Sequence, residues 1–405
     1  MEKADPAQFH QLYGVKRPRI TYFKRDFIDY VLMTLITASI IWLTYGAGSW
    51  VTSLGLALCA LMIPSFLVRH GVELRTPEIL KRPQDLLYML VYKLRNMKPV
   101  TQLALAILLL ENLFIYLTPN LPHHVELTGK IAIYLFYIHF IGITVYRTVI
   151  LFDHLRKKEL VREVLLQTNW KKWLEKRPNV TLHILHAYAT GVLTHIVFLA
   201  PWYLVITHAK FSVLALPVTL ATNIFVQYKF TKIMNVWFYR DHWTSHNAEL
   251  EFLYIHGTHH DAIPSGLIGV AGNGYMEGFL RFVFFWPTHL FNPILAAVLL
   301  TALLKSDIDS HQYIPGIFPS MSKAFHEVSQ HSTHHYGFLE PYGFATKLNQ
   351  PDLSEAGQEI AKKFKRALPV EVYDSVAVDE QLNGFKWSNS AHRRFMELVS
   401  RYQKH

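Results

Sequence analysis

The sequence predicts an all-α, polytopic membrane protein with about six helical crossings, a re-entrant helical hairpin and a cytosolic helical cap holding a dimetal site. Three observations carry that reading. Hydrophobic residues make up 51% of the 405-residue chain and charged residues only 17%, and the mean hydropathy is +0.15, too apolar for a soluble protein of this size. The apolar residues fall in uninterrupted runs of about the ~20 residues a bilayer crossing requires. Beyond the last of these runs, histidines recur at separations of three and four.

Residues 1–26 form a basic arm with Lys3, Lys16, Arg17, Arg19, Lys24 and Arg25, broken by Pro6 and Pro18, and expected along the membrane surface. The region 27–228 follows, with crossings predicted at Phe27–Tyr45, Trp50–Val68, Val100–Thr118, Ile131–Leu151, Leu182–Thr207 and Phe211–Tyr228. The first run begins only after Asp26 and has nearly spanning length, so it is expected to stay in the mature protein rather than be cleaved as a signal. The single cysteine, Cys59, excludes an intramolecular disulfide framework. Charged and apolar residues mix near 71–99, which suits an interfacial helix or a short buried one. Pro119-Asn-Leu-Pro-His-His124 reads as an outer turn, with His123 and His124 as loop residues. Within the crossings, His139, His183, His186 and His195 are expected to bond to neighbouring helices at membrane depth.

The stretch 153–178 interleaves Arg156, Lys157, Lys158, Arg162, Lys171, Lys172, Lys176 and Arg177 with leucines and tryptophans. That pattern fits a helix in the headgroup plane; docking of an acidic electron donor is the sharper alternative. Gly46–Ser49 and Pro119–Gly129 hold no lysine or arginine, whereas the arm and the alternate connections are basic. The basic segments therefore belong in the cytosol, in a bacterial inner membrane or the endoplasmic reticulum. The net charge of +10 is accounted for by anionic headgroups, and no nucleic-acid partner is expected.

The region 229–342 carries the chemistry. His242 and His246 are four apart; His256, His259 and His260 follow, and His331, His334 and His335 repeat the second pattern. Residues three and four apart share one helical face, so each cluster aims its imidazoles at one point. Eight histidines exceed the four that close a tetrahedral zinc site, which points to a pair of metals. Neutral ligands around two divalent ions need compensating charge, and Asp241, Glu249, Glu251, Asp261 and Glu327 are suited to brace the far ring N–H groups. After His260, four glycines and Pro264 in 261–274 dictate an irregular loop without the strand-to-helix setting of a phosphate site. The apolar stretch 276–304 is broken by Pro287 and Pro293 into pieces too short to cross, hence the re-entrant hairpin. A single crossing there would put His331 on the opposite face from His242. Residues 343–405 read as a cytosolic C-terminal cap.

These motifs, His-x-x-x-His followed twice by His-x-x-His-His among long apolar stretches, resemble the fatty acid hydroxylase and sterol desaturase superfamily of integral-membrane di-iron oxygenases. The resemblance covers about Phe238–His335. It implies two iron ions, dioxygen as co-substrate, and hydroxylation of an unactivated C–H bond in a lipid-like substrate. Electrons would come from an external donor, a ferredoxin or b-type cytochrome with its reductase. It also implies a further histidine after the last hydrophobic segment, where His311 stands, with His289 and His326 weaker candidates. Zinc can displace ferrous iron in a purified sample by the Irving–Williams order. Desaturation at the same centre and, from another class, a divalent-metal transporter are the alternatives. Where relatives carry Asn-Tyr-Gly and Trp-Asp after the last cluster, this chain has Tyr336-Gly-Phe-Leu-Glu-Pro-Tyr-Gly343, so the resemblance does not extend to substrate identity.

Overall fold

The computed structural model describes residues 27–70, 99–166, 171–225, 256, 264–267, 292–311 and 317–318. They are mostly helical, with no strand among the described residues. In chain order the helices are α1 Phe27–Tyr45, α2 Trp50–His70, α3 Pro99–Leu117, α4 Val125–Arg156, α5 Lys158–Leu165, α6 Lys171–Lys176 and α7 Val180–His208. They continue with α8 Val213–Phe225, whose first turn is 3-10, and α9 Pro293–His311.

Three of them, α2 over Trp50–Val68, α4 and α7, are long and apolar enough to cross a membrane. At 1.5 Å per residue, the 32 residues of α4 reach about 48 Å, past a ~30 Å hydrocarbon core at one or both ends. The predicted runs at Ile131–Leu151 and Leu182–Thr207 are thus the apolar middles of longer helices.

Side-chain contacts fix the order and direction of packing. Helices α1 and α2 form an antiparallel hairpin closed by Gly46 at φ 78°; Tyr30 stacks on Phe66 at 4.2 Å. Gly55 lets the pair approach, since a Cβ there would meet Ile41 Cδ1 at 2.9 Å. Helix α7 is the most buried, with Ile184, Leu193, Ile196, Phe198 and Leu199 all at 0% exposure. Tyr45 donates to its Ile196 carbonyl at 2.6 Å, beside the Val197 carbonyl that Pro201 leaves without a helical donor.

Helices α4 and α9 are joined by two rungs, His139 to Thr301 at 2.7 Å and Tyr146 to Asp309; beyond α9, the Phe318 amide donates to Asp153 at 2.8 Å. Both numberings rise together, so α9 runs parallel to α4. Helix α7 is antiparallel to it, through His195 to His139 and Tyr188 to Thr148. The bundle therefore has two distinct ends. At one, Val213 donates to the His123 carbonyl and Lys210 to Asn112, which ties the turn before α4 to the turn after α7. At the other lie the C-termini of α4 and α9 together with α5, α6 and their basic residues.

Two expectations are refined. The stretch 153–178 is not one helix: α4 runs on to Arg156 and two short helices follow. In these, Val161, Leu165 and Leu174 are buried, and α5 packs on α4 and α7. In the stretch 276–304, the helix starts at Pro293, a position where proline's missing N–H costs nothing, and runs through Leu304 to His311. The arm 1–26, the segment 71–98, the remainder of the predicted hairpin and the cap 343–405 lie outside the described residues.

Candidate metal centre

The surface of the bundle is apolar, and its interior mixes apolar side chains with polar ones. On α4, Tyr134, Ile138, Ile141, Val145, Val149 and Phe152 are exposed at helical spacing, while Phe136, His139, Phe140, Ile143, Arg147, Ile150 and His154 are buried. The exposed stripe is the reverse of that on a helix in water, which is charged, and the buried face carries His139, Arg147 and His154 among apolar side chains.

At mid-bundle the hydrogen bonds assign the tautomers. Thr301 Oγ1 donates to the Ala297 carbonyl at 2.7 Å, so it accepts from His139 Nδ1–H. The His139 Nε2 lone pair is then free to accept from His195 Nε2–H at 3.3 Å. Both imidazoles are neutral and bridge α9, α4 and α7. Ser65 meets His186 Nδ1 at 2.6 Å, and His183 Nε2–H donates to the Arg177 carbonyl at 2.9 Å. His139, His186 and His195 thus make polar contacts between helices, whereas this bond of His183 is to the connection that precedes its own helix.

Arg147 is completely buried, and Asp307 and Tyr188 lie within electrostatic reach of its guanidinium. Sequence reading passed over it, although a lone arginine inside the apolar run Ile131–Leu151 is itself a signal. Asp307, in the last turns of α9, is the matching acid, and Asp309 stands two residues on. Asp309 accepts from Tyr146 and forms an ion pair with Lys305 at 2.6 Å.

Two of the candidate ligands fall among the described residues. His256 is fully buried, and His311, the last residue of α9, is 2% exposed. His311 Nδ1–H donates to the Asp307 carbonyl one turn back at 2.6 Å, with the Asp307 carboxylate 3.7 Å away. This bond fixes the tautomer that leaves Nε2 as the lone-pair nitrogen, the form in which histidine binds metals. Four residues after His260, Pro264 and the 3-10 turn Ser265–Leu267 are seated against α9, α7 and α4, with Leu267 wholly buried. The remaining candidates, His242, His246, His259, His260, His331, His334 and His335, lie outside the described residues, as do His289 and His326. So do the five carboxylates proposed to brace them. Among the described residues, no group of three or more His, Cys, Asp or Glu side chains could by itself hold a metal ion.

One histidine escaped sequence reading. His154, in the last turn of α4, is completely buried; its Nδ1–H donates to the Ile150 carbonyl at 2.8 Å, and its Nε2 has no partner. An orphaned imidazole lone pair, held in the metal-binding tautomer, fits a divalent transition metal by donor chemistry. It belongs to no histidine pair at helical spacing, and its neighbours Asp153 and Arg156 made the segment read as headgroup-facing.

Comparison of the chain with protein families, with curated proteins and with solved structures finds no match.

Proposed function

We propose that the chain is a membrane-embedded di-iron monooxygenase that hydroxylates an unactivated C–H bond of a lipid-like substrate. The histidine boxes carry this reading. The described structure supports it through one observation: α9 delivers His311, buried and braced at Nδ1, to the bundle end that holds the basic residues and buried His154. The reading takes α1, α2, α3, α4, α7 and α8 as six crossings and α9 as the returning limb of the re-entrant hairpin. It places the boxes beneath the cytosolic leaflet, with 343–405 as their cap. A pair of iron ions bound there would supply dioxygen activation, with one oxygen atom entering the substrate and the other leaving as water.

The chain's own residues do the rest. The boxes and His311 hold and orient the metals through neutral imidazoles; Asp241, Glu249, Glu251, Asp261 and Glu327 accept the far ring N–H groups. The apolar faces of the helices guide an acyl-like substrate from the bilayer. The basic surface of Arg156, Lys157, Arg162 and Lys176 meets an acidic donor, a ferredoxin or b-type cytochrome, since a chain with one cysteine cannot ligate an iron–sulfur cluster of its own. A metal transporter is disfavoured by the mid-bundle geometry: the His139 and His195 Nε2 atoms face each other in a hydrogen bond, with the Arg147 cation in electrostatic reach of both rings. That arrangement repels a passing cation.

The test is oxygen uptake and product mass in membranes supplied with lipid and a reductase system. Hydroxylation adds one oxygen atom to the product, whereas desaturation at the same centre removes two hydrogens. His259→Ala should abolish turnover while leaving membrane insertion intact. Turnover at the wild-type rate in that variant contradicts the assignment.

A further inference from the structure

We infer that His154 is a ligand of the metal centre, contributed by α4 from outside every histidine box; the inference rests on the metal-centre reading above. Three observations converge on it. First, His154 is completely buried, yet its Nε2 has no hydrogen-bond partner. Burying an imidazole nitrogen without a partner costs desolvation free energy, a cost that His195 Nδ1 also bears and that an occupant for the His154 lone pair would offset. Second, the tautomer is fixed: Nδ1–H is spent on the Ile150 carbonyl at 2.8 Å, so the orphaned nitrogen is an acceptor. It is suited to a cation and not to a carbonyl or carboxylate oxygen.

Third, its position matches that of His311. Each is a histidine in the last turn of a long helix, with Nδ1–H on the carbonyl four residues back. The helices are parallel, with His139 opposite Thr301 and Tyr146 opposite Asp309. Both histidines therefore lie toward the same end of the bundle, with His154 about a turn and a half beyond the level of His311. The 3-10 turn just after the second histidine box is seated against α4, α7 and α9, which brings that segment to the helices carrying both rings. Of the titratable groups at this end, Asp153 is engaged by Arg156 at 3.0 Å, Lys157 at 2.8 Å and the Phe318 amide, and His183 bonds the Arg177 carbonyl. None of these bonds is to His154 Nε2.

The test uses the full-length chain in lipid nanodiscs, with ferrous and cobaltous ions as probes. In a Cys59→Ala background, His154→Cys should bind cobalt and show a thiolate-to-cobalt charge-transfer band absent from the parent. His154→Gly should retain ferrous iron at least about tenfold less well against a chelator, and added imidazole should restore retention. Cobalt bound with parental affinity and no thiolate band, together with unchanged iron retention in the glycine variant, overturns the assignment of His154. If at the same time His259→Ala loses metal, the metal-centre reading stands without it. If the parent binds neither ion, both fall together.

Discussion

A buried imidazole has two nitrogens to satisfy, and how each is satisfied decides what the residue is for. His139 bonds through both nitrogens and His195 through Nε2, its Nδ1 having no partner, so the pair acts as a clasp between α4, α7 and α9. Polar clasps of this kind within membranes contribute about 1 kcal/mol. His139→Phe should therefore destabilise the bundle by about 1–2 kcal/mol, because it strands His195, and His195→Phe in that background should add much less than it costs alone. Thermal melting in detergent of the two single variants and the double variant reads the coupling. A second residue-scale prediction concerns His124, the exposed N-cap of α4, which sits in the left-handed region at φ 49° and caps nothing with its side chain. His124→Val should cost about 1–2 kcal/mol, and His124→Gly should melt no lower than wild type.

Helix α9 links the fold to the proposed site. Asn292 starts it: Oδ1 accepts from the Ile294 and Leu295 amides, and Nδ2 donates to Thr219 at 3.2 Å and to the Leu216 carbonyl. Asn292→Ala removes cap and clasp together and should cost about 1–2 kcal/mol. Asn292→Asp keeps the cap but loses the donors, and should fall between. The parallel course of α4 and α9 can be tested directly, since the chain has a single native cysteine. In a Cys59→Ala background, Tyr146→Cys and Asp309→Cys should cross-link under mild oxidation, whereas Tyr146→Cys paired with Ala297→Cys should not. A reversed pattern would remove the argument that His154 and His311 lie toward the same end of the bundle.

For the whole molecule, the apolar exterior of α4, with its polar groups turned inward, is what a lipid-solvated bundle requires. The six apolar runs were legible because hydropathy is a local property, and the predicted starts at Phe27 and Trp50 coincide with those of α1 and α2. Less legible was the fate of residues whose partners lie far along the chain. Arg147 meets Asp307 from 160 positions away, and α5 looked like a headgroup helix because its sequence cannot say that it packs on α4 and α7. His311 was legible only through a resemblance, and His154 not at all, because its significance lies in a nitrogen that meets nothing. On the proposed six-crossing topology, cysteines placed at Gly48 and Lys158 should react with an impermeant maleimide from opposite faces of sealed vesicles.

The central claim is that this bundle supports a paired iron site. Iron-57 Mössbauer spectroscopy of the protein produced in iron-replete medium tests it most directly. The account predicts about two iron atoms per chain with a spin-coupled ferric signal, lost in His259→Ala. A protein that takes up no iron after anaerobic reconstitution, or whose iron is unaffected by that substitution, would contradict it.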